Sequence, residues 1–200
     1  MLNVALTGNV AAGKSSVVRW FAKWGATVID SDALVREVQQ QGTATWDAIV
    51  RRFGRAVLRS DGSLDRAALR HRVLGDDDAL ASLNAIVHPA VQQRRGELAA
   101  EAAARGTRIL INDIPLLFEV LDPKEFDMVI LVDAPSEVRR QRLLRRGLGP
   151  QEADRLIAAQ IPSHRKRGLS DIVIDNVGSL GELRQAARAA WDRICKCATG

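Results

Sequence analysis

The chain has 200 residues, 46% of them hydrophobic and 26% charged, with a net charge of +5. That length suits one domain with a small insertion. No run of about 18 apolar residues marks a membrane span. Two cysteines separated by one residue, Cys195 and Cys197, fit neither a zinc site nor a disulfide framework.

The chain begins with an apolar run from Leu2 to Leu6, a candidate buried strand. Gly8-Asn9-Val10-Ala11-Ala12-Gly13-Lys14-Ser15 follows, and then a helical pattern from Ser16 to Trp24. The eight residues fit the phosphate-binding loop G-x-x-x-x-G-K-[S/T], in the strand, loop, helix order that this motif requires. Successive backbone N–H groups of such a loop point at an anion, and the helix start adds its positive end. Lys14 can reach the β- and γ-phosphates, and the Ser15 hydroxyl can serve Mg²⁺. A loop in this position is incompatible with a signal peptide there.

Val28-Ile29-Asp30-Ser31-Asp32 closes a second strand over Thr27–Ile29 with two carboxylates. In parallel α/β sheets ligands sit beyond the carboxyl ends of the strands, so both carboxylates are expected near the phosphate loop. Asp32 has two readings of equal weight: a base that orients an attacking hydroxyl, or the cap of the next helix. Asp30 is either structural or a holder of Mg²⁺ through water. Helical patterns then cover Asp32–Gln40, Trp46–Phe53, Leu64–Leu74 and Ala79–Val87. A further helix is predicted to start at Pro89 and run to Arg105. Asp61-Gly62 is a turn inside this stretch. His88 reads as a ligand contact or as a helix-cap histidine, the cap being favoured.

The third strand, Ile109–Ile111, leads to Asp113, which can act in a metal shell or cap the loop. The fourth, Met128–Val132, leads to Asp133 with the same ambiguity. Ser136 to Lys166 is helical and rich in arginine: Arg139, Arg140, Arg142, Arg145 and Arg146 crowd together, with breaks at Gly147–Pro150 and at Pro162. Arg142 and Arg146 share a helix face and can clamp a phosphoryl group, or belong to a solvated basic stripe. With few apolar anchors, this segment is expected to gather its arginines only around a bound anion and so to behave as a mobile lid. The fifth strand, Ile172–Ile174, precedes a last helix over Leu180–Ile194. Strands alternating with helices predict a parallel sheet. The absence of tyrosine leaves little for a nucleic-acid stacking platform.

Several segments together resemble the dephospho-CoA kinase family, in order along nearly the whole chain. They are Leu6 to Ser15, Gly25-Ala26, Val28 to Asp32, Phe53-Gly54, Asp61 to Arg66 and Leu83 to Pro89. Ile114 to Glu119, Arg142 with Arg146, Gln160, Pro162, Lys166, Asp171 and Asp175 to Gly178 complete the match. His88-Pro89 and Pro115-Leu116-Leu117-Phe118-Glu119 are the more specific parts, since the phosphate loop alone is widespread.

The resemblance implies a P-loop NTPase fold of the nucleoside-monophosphate-kinase type, with a five-stranded parallel sheet flanked by helices. Its core would be 1–31, 107–135 and 168–200, with a helical substrate-binding insertion over 32–106 and a lid over 136–167. It implies phosphorylation of the ribose 3′-hydroxyl of dephospho-CoA by ATP with Mg²⁺, in the cytoplasm, with no nucleic acid, membrane or obligate protein partner. Asp32, Lys14 and Arg142 would be catalytic. Gly8 to Ser16, Arg146 and Asn176 would hold ATP, Asn176 on the adenine side. Arg66, Leu69, His88, Pro89 and Leu116 would receive dephospho-CoA with Asp32. Ser15 would meet the metal, with Asp30 or Asp113 through water. Asn9, Leu74, Gly147 and Ser170 depart from the family's commonest residues, and Asn9 in place of glycine asks the loop for a less permissive backbone. The rival readings are another small P-loop kinase, acting on a nucleoside monophosphate or a metabolite alcohol, and a nucleotide-dependent switch. A guanine-reading N-K-x-D element is absent.

Overall fold

A computed structural model describes residues 1–198. Strand β1 (Leu2–Gly8) pairs in parallel with β3 (Ile109–Asp113) on one side and with β4 (Met128–Asp133) on the other. Beyond β4 lies β5 (Ile172–Asp175), and beyond β3 lies β2 (Thr27–Asp30), giving the order β2-β3-β1-β4-β5. The central strands are buried on both faces, which is why they read as unbroken apolar runs. The five-stranded parallel sheet is the one the sequence predicts.

Helix α1 (Lys14–Lys23) and the C-terminal helix (Leu180–Cys197) cover one face of the sheet. Val17 and Phe21 from the first, and Leu183, Ala187, Trp191 and Ile194 from the second, pack on Val4, Leu6, Ile130, Val132 and Ile174. Trp191 lies 5.5 Å from Phe21 and 6.2 Å from Trp24 between ring centroids, and Trp20 stacks on Trp24 at 6.5 Å. The C-terminal helix opens with a reciprocal cap between Ser179 and Glu182. The bonds from Ser179 hold the Glu182 carboxyl below its ordinary pKa. On the opposite face Ala5 and Val129 pack against Ile114 and Leu117.

The chain divides into two compact units. One comprises Met1–Ile29 and the chain from Ala102 onward, and the other is Asp30–Glu101. The smaller unit holds α2 (Ser31–Val38), α3 (Ala44–Phe53), α4 (Arg66–Val73) and most of α5 (Asp77–Ala104). Ile49, Phe53, Val57, Leu64, Leu69 and Val87 form its core, with Trp46 packed at the edge. Gly62 takes φ +83° in the expected turn, and the Asp61 carboxylate there accepts from the Ser63 N–H.

One boundary differs from the sequence reading. The two predicted helices around His88-Pro89 are a single helix, with Pro89 in its interior. Proline removes one helical hydrogen bond at a cost of about 3 kcal/mol. Here its ring lies on an exposed face, while Val87 and its neighbours Ile86 and Val91 anchor both sides in the core. Tertiary burial therefore carries the helix through, and His88 does not cap a helix.

In the larger unit, α6 (Leu117–Val120) follows β3. The arginine-rich stretch forms α7 (Ser136–Arg145), α8 (Pro150–Ala158) and α9 (Ser163–Gly168). Its breaks fall where glycine and proline predict them, with Gly147 at φ +89° and Pro162 before α9. Among the described residues no helix is long and apolar enough to cross a membrane.

Candidate active site

The phosphate loop leaves the centre of the sheet at the end of β1 and runs into α1. Residues Gly8 to Ser15 line a cavity of about 290 Å³, together with Pro115, Arg146 and Gln160. Close backbone approach explains the two glycines. A Cβ on Gly8 would stand 2.8 Å from the Val132 carbonyl oxygen, and one on Gly13, at φ +101°, would overlap the Asn176 amide. The loop's strain lies elsewhere than expected. Asn9 is not in the left-handed region, whereas Ala11 is, at φ 58°. Lys14 forms an ion pair with Asp113 at the end of β3. The sequence left Asp113 as a metal-shell residue or a loop cap; its carboxylate is engaged by Lys14.

The five crowded arginines separate by environment. Arg139 is buried, and its Nε donates to the Ala134 carbonyl at 3.0 Å. Arg140 pairs with Asp154 at 2.7 Å, and Arg145 is exposed. Arg142 lies against the phosphate loop. Its guanidinium donates to the carbonyls of Ala11 at 3.2 Å and Ala12 at 3.5 Å, and to Asn176 O at 3.2 Å and Oδ1 at 3.1 Å. Asn176 adds a bond from Nδ2 to the Ala12 carbonyl at 2.7 Å. Burial, then the positive charges of Arg146 and Arg145, pull the Arg142 pKa below its ordinary value, yet an arginine remains charged. Arg146, one turn on, forms part of the cavity wall. The two arginines thus take different places, one bracing the loop from its carbonyl side and one beside the phosphate cavity. This segment also has contacts of its own with the loop. Arg142 rests on carbonyl oxygens, and Leu143, Ala153, Leu148 and Ile157 pack on Ala11 and Val10.

A second set of ties was not apparent in the sequence. Gln160 Oε1 accepts from the Val10 N–H at 2.8 Å. Asn9 Nδ2 donates to Ser163 Oγ at 2.8 Å and to Asp133 Oδ1 at 3.3 Å. Ser163 in turn donates to Asp133 at 2.9 Å. Asp133, a candidate metal or cap residue, is thus a buried hub of the loop's support. Arg167 reaches the same carboxylate at 3.2 Å and Asp175 at 2.6 Å, and these bonds raise its pKa. Deeper in α9, Lys166 is fully buried and sits 2.8 Å from Glu119 of α6. The angle there is poor for a hydrogen bond, so the ammonium is held by charge alone.

In the smaller unit, Asp30 performs the capping that the sequence left open for Asp32. Its Oδ1 accepts from the Ala33 N–H at 3.0 Å. Asp32 stands exposed in the first turn of α2, its carboxylate taken up by no bond among the described residues. Arg66 is exposed at the start of α4, which Asp65 caps through the Ala67 and Ala68 N–H groups. Leu69, expected to meet substrate, is a core residue at 5% exposure. His88 is half-buried and Pro89 exposed. Leu116, in the larger unit, is exposed beside the loop residue Pro115. Ser15 lines the phosphate cavity, while Ser16 accepts from Arg19 at 3.3 Å.

A family model described as dephospho-CoA kinase matches residues 2–182. A protein of that name from Thermobifida fusca is 43% identical over 195 residues, covering 97% of this chain and 96% of the relative. Another of that name, from Mycolicibacterium paratuberculosis, is 43% identical over 193 residues; the match covers 96% of this chain and 47% of that relative, so the chain spans about half of its length. A crystal structure of a Thermus thermophilus protein agrees with a TM-score of 0.81 at 34% identity, over 96% of this chain and 97% of that one. The phosphate loop, its lysine–aspartate pair and the matched span agree: the chain belongs to the dephospho-CoA kinase family.

Proposed function

We infer that this chain transfers the γ-phosphoryl group of ATP to the ribose 3′-hydroxyl of dephospho-CoA, releasing ADP and coenzyme A. The observation that carries the reading is the phosphate cavity walled by Gly8 to Ser15 on a chain matched by this family from residue 2 to residue 182. The loop's N–H groups and Lys14 neutralise the phosphate charge, which increases on the leaving side as the bond to ADP breaks. Asp32 accepts the proton of the 3′-hydroxyl as its oxygen bonds to the γ-phosphorus. An exposed carboxylate relieved of capping by Asp30 is free for that task. Arg66, His88, Pro89 and Leu116 receive dephospho-CoA, and Asn176 borders the adenine.

The donor set suits Mg²⁺, a hard ion that keeps several waters and needs one or two protein oxygens plus phosphates. Ser15 and Asp113 supply those oxygens, and the ion would screen the phosphate charge. Asp30, whose carboxylate caps α2, is the weaker candidate. We assign the enzyme to the cytoplasm, where ATP is supplied.

The test is ADP release with dephospho-CoA, compared with nucleoside monophosphates and simple alcohols, with the 3′-phosphate located by NMR. Asp32→Asn should lower kcat by on the order of a hundredfold or more, the scale of a positioned base. The melting temperature and affinity for an ATP analogue should stay near wild type. A fully active Asp32→Asn enzyme refutes the role of Asp32, and ADP release equal for all acceptors refutes the substrate.

A further inference from the structure

Gln160 sits between α8 and α9 and forms part of the phosphate-cavity wall with Pro115 and Arg146. Its Oε1 accepts the Val10 N–H. A backbone N–H can only donate, so this bond settles which end of the amide carries oxygen. The other end, Nε2, has two N–H donors and no hydrogen bond to protein among the described residues. The segment carrying Gln160 is tied down on both sides. Ser163 is bonded to Asn9 and Asp133, and the Ile161 N–H donates to Glu119 at 3.4 Å. An amide that uses its acceptor on the loop and keeps its donors free is suited to an anion.

We propose that Gln160 is a phosphate-binding residue of the ATP site: Nε2 donates to a phosphate oxygen while Oε1 keeps the Val10 N–H. One side chain thereby reads the loop and the nucleotide together. This rests on ATP being a substrate. It is separate from the identity of the acceptor, because the measurement is nucleotide binding without dephospho-CoA.

Two variants distinguish this role from a mere prop under Val10. Gln160→Glu keeps an acceptor for the Val10 N–H but turns the other end from donor to anion. Gln160→Met loses both ends at similar volume. A prop alone requires Glu to behave like wild type and Met to be worse. Phosphate binding requires Glu to be the worse of the two. Calorimetry with a nonhydrolysable ATP analogue should show Gln160→Glu weakened roughly tenfold to a hundredfold, the worth of a hydrogen bond to a charged group. Gln160→Met should be weakened less, with dephospho-CoA affinity unchanged in both and the melting temperature unchanged in Gln160→Glu, which keeps the Val10 bond. Gln160→Glu binding as tightly as wild type, or more tightly than Gln160→Met, overturns the proposal. Binding in the expected order by a chain that makes no coenzyme A upholds it and refutes the acceptor. A wild-type chain that binds no ATP analogue overturns both.

Discussion

The buried pair between Lys166 and Glu119 should decide whether the α8–α9 turn stays in place. Lys166 has no exposed surface, and its one ion partner among the described residues is Glu119, 2.8 Å away and 19% exposed. Glu119→Gln keeps the shape but removes the charge, leaving an ammonium buried without a counter-ion. Breaking a buried pair from one side costs about 3–5 kcal/mol. The lower end applies, because Glu119 is partly wet and the glutamine oxygen still faces the amine. A loss of about 3 kcal/mol in a chain of this length corresponds to a drop of about 6–12 °C in Tm. Replacing both partners with apolar residues of similar size, Glu119→Leu with Lys166→Met, should recover most of it, since such swaps are often neutral. Urea unfolding followed by far-ultraviolet circular dichroism gives the free energies, and a double-mutant cycle gives the coupling. A Glu119→Gln protein as stable as wild type, or a double variant no better than the sum of its single changes, would refute the argument.

Two further outcomes follow from the loop. Arg142→Ala removes the braces on Ala11, Ala12 and Asn176, so ATP affinity should fall by about tenfold or more while dephospho-CoA affinity holds, each lost charged hydrogen bond being worth about 1.5–3 kcal/mol before water replaces it. Equal ATP affinity in titrations of the two proteins would count against the brace. Ala11→Gly should stabilise by about 0.5 kcal/mol, since relief of about 1–2 kcal/mol of left-handed strain exceeds the backbone entropy of about 0.5–1 kcal/mol that glycine adds. A lower Tm for Ala11→Gly would show that the alanine methyl's packing outweighs its strain.

How far the sequence could be read depended on the range of the interaction. The phosphate loop and the strands were legible because each is a local pattern: apolar runs for strands buried on two faces, and a motif whose residues are neighbours in the chain. Pro89 misled because proline's local preference was outweighed by Val87 and Val91, whose burial depends on α3 and α4. Asp30 and Asp32 were indistinguishable until the helix start was placed to the residue, since a shift of two positions exchanges cap and free carboxylate. The roles of Gln160, Ser163 and Asp133 join residues separated by as many as 154 positions, and no spacing rule encodes such a link. Lys166 was hidden for another reason. It stands between Arg165 and Arg167 in a run of cations, and only its phase on a short helix turns it inward.

The aromatic residues have a consequence for how this molecule can be watched. The chain has no tyrosine and four tryptophans. Trp20, Trp24 and Trp191 crowd together beside the sheet, and Trp46 belongs to the helical unit, at the edge of its core. Near-ultraviolet light is therefore absorbed almost entirely by two groups of chromophores, one in each unit. In the crowded three, Trp24 lies 6.5 Å from Trp20 and 6.2 Å from Trp191, close enough for the rings to couple. Trp46 is the tryptophan of the helical unit, its indole nitrogen buried and without a hydrogen bond among the described residues. Unlabelled protein thus reports optically on each unit, and the two signals lose coincidence if the units come apart in separate steps.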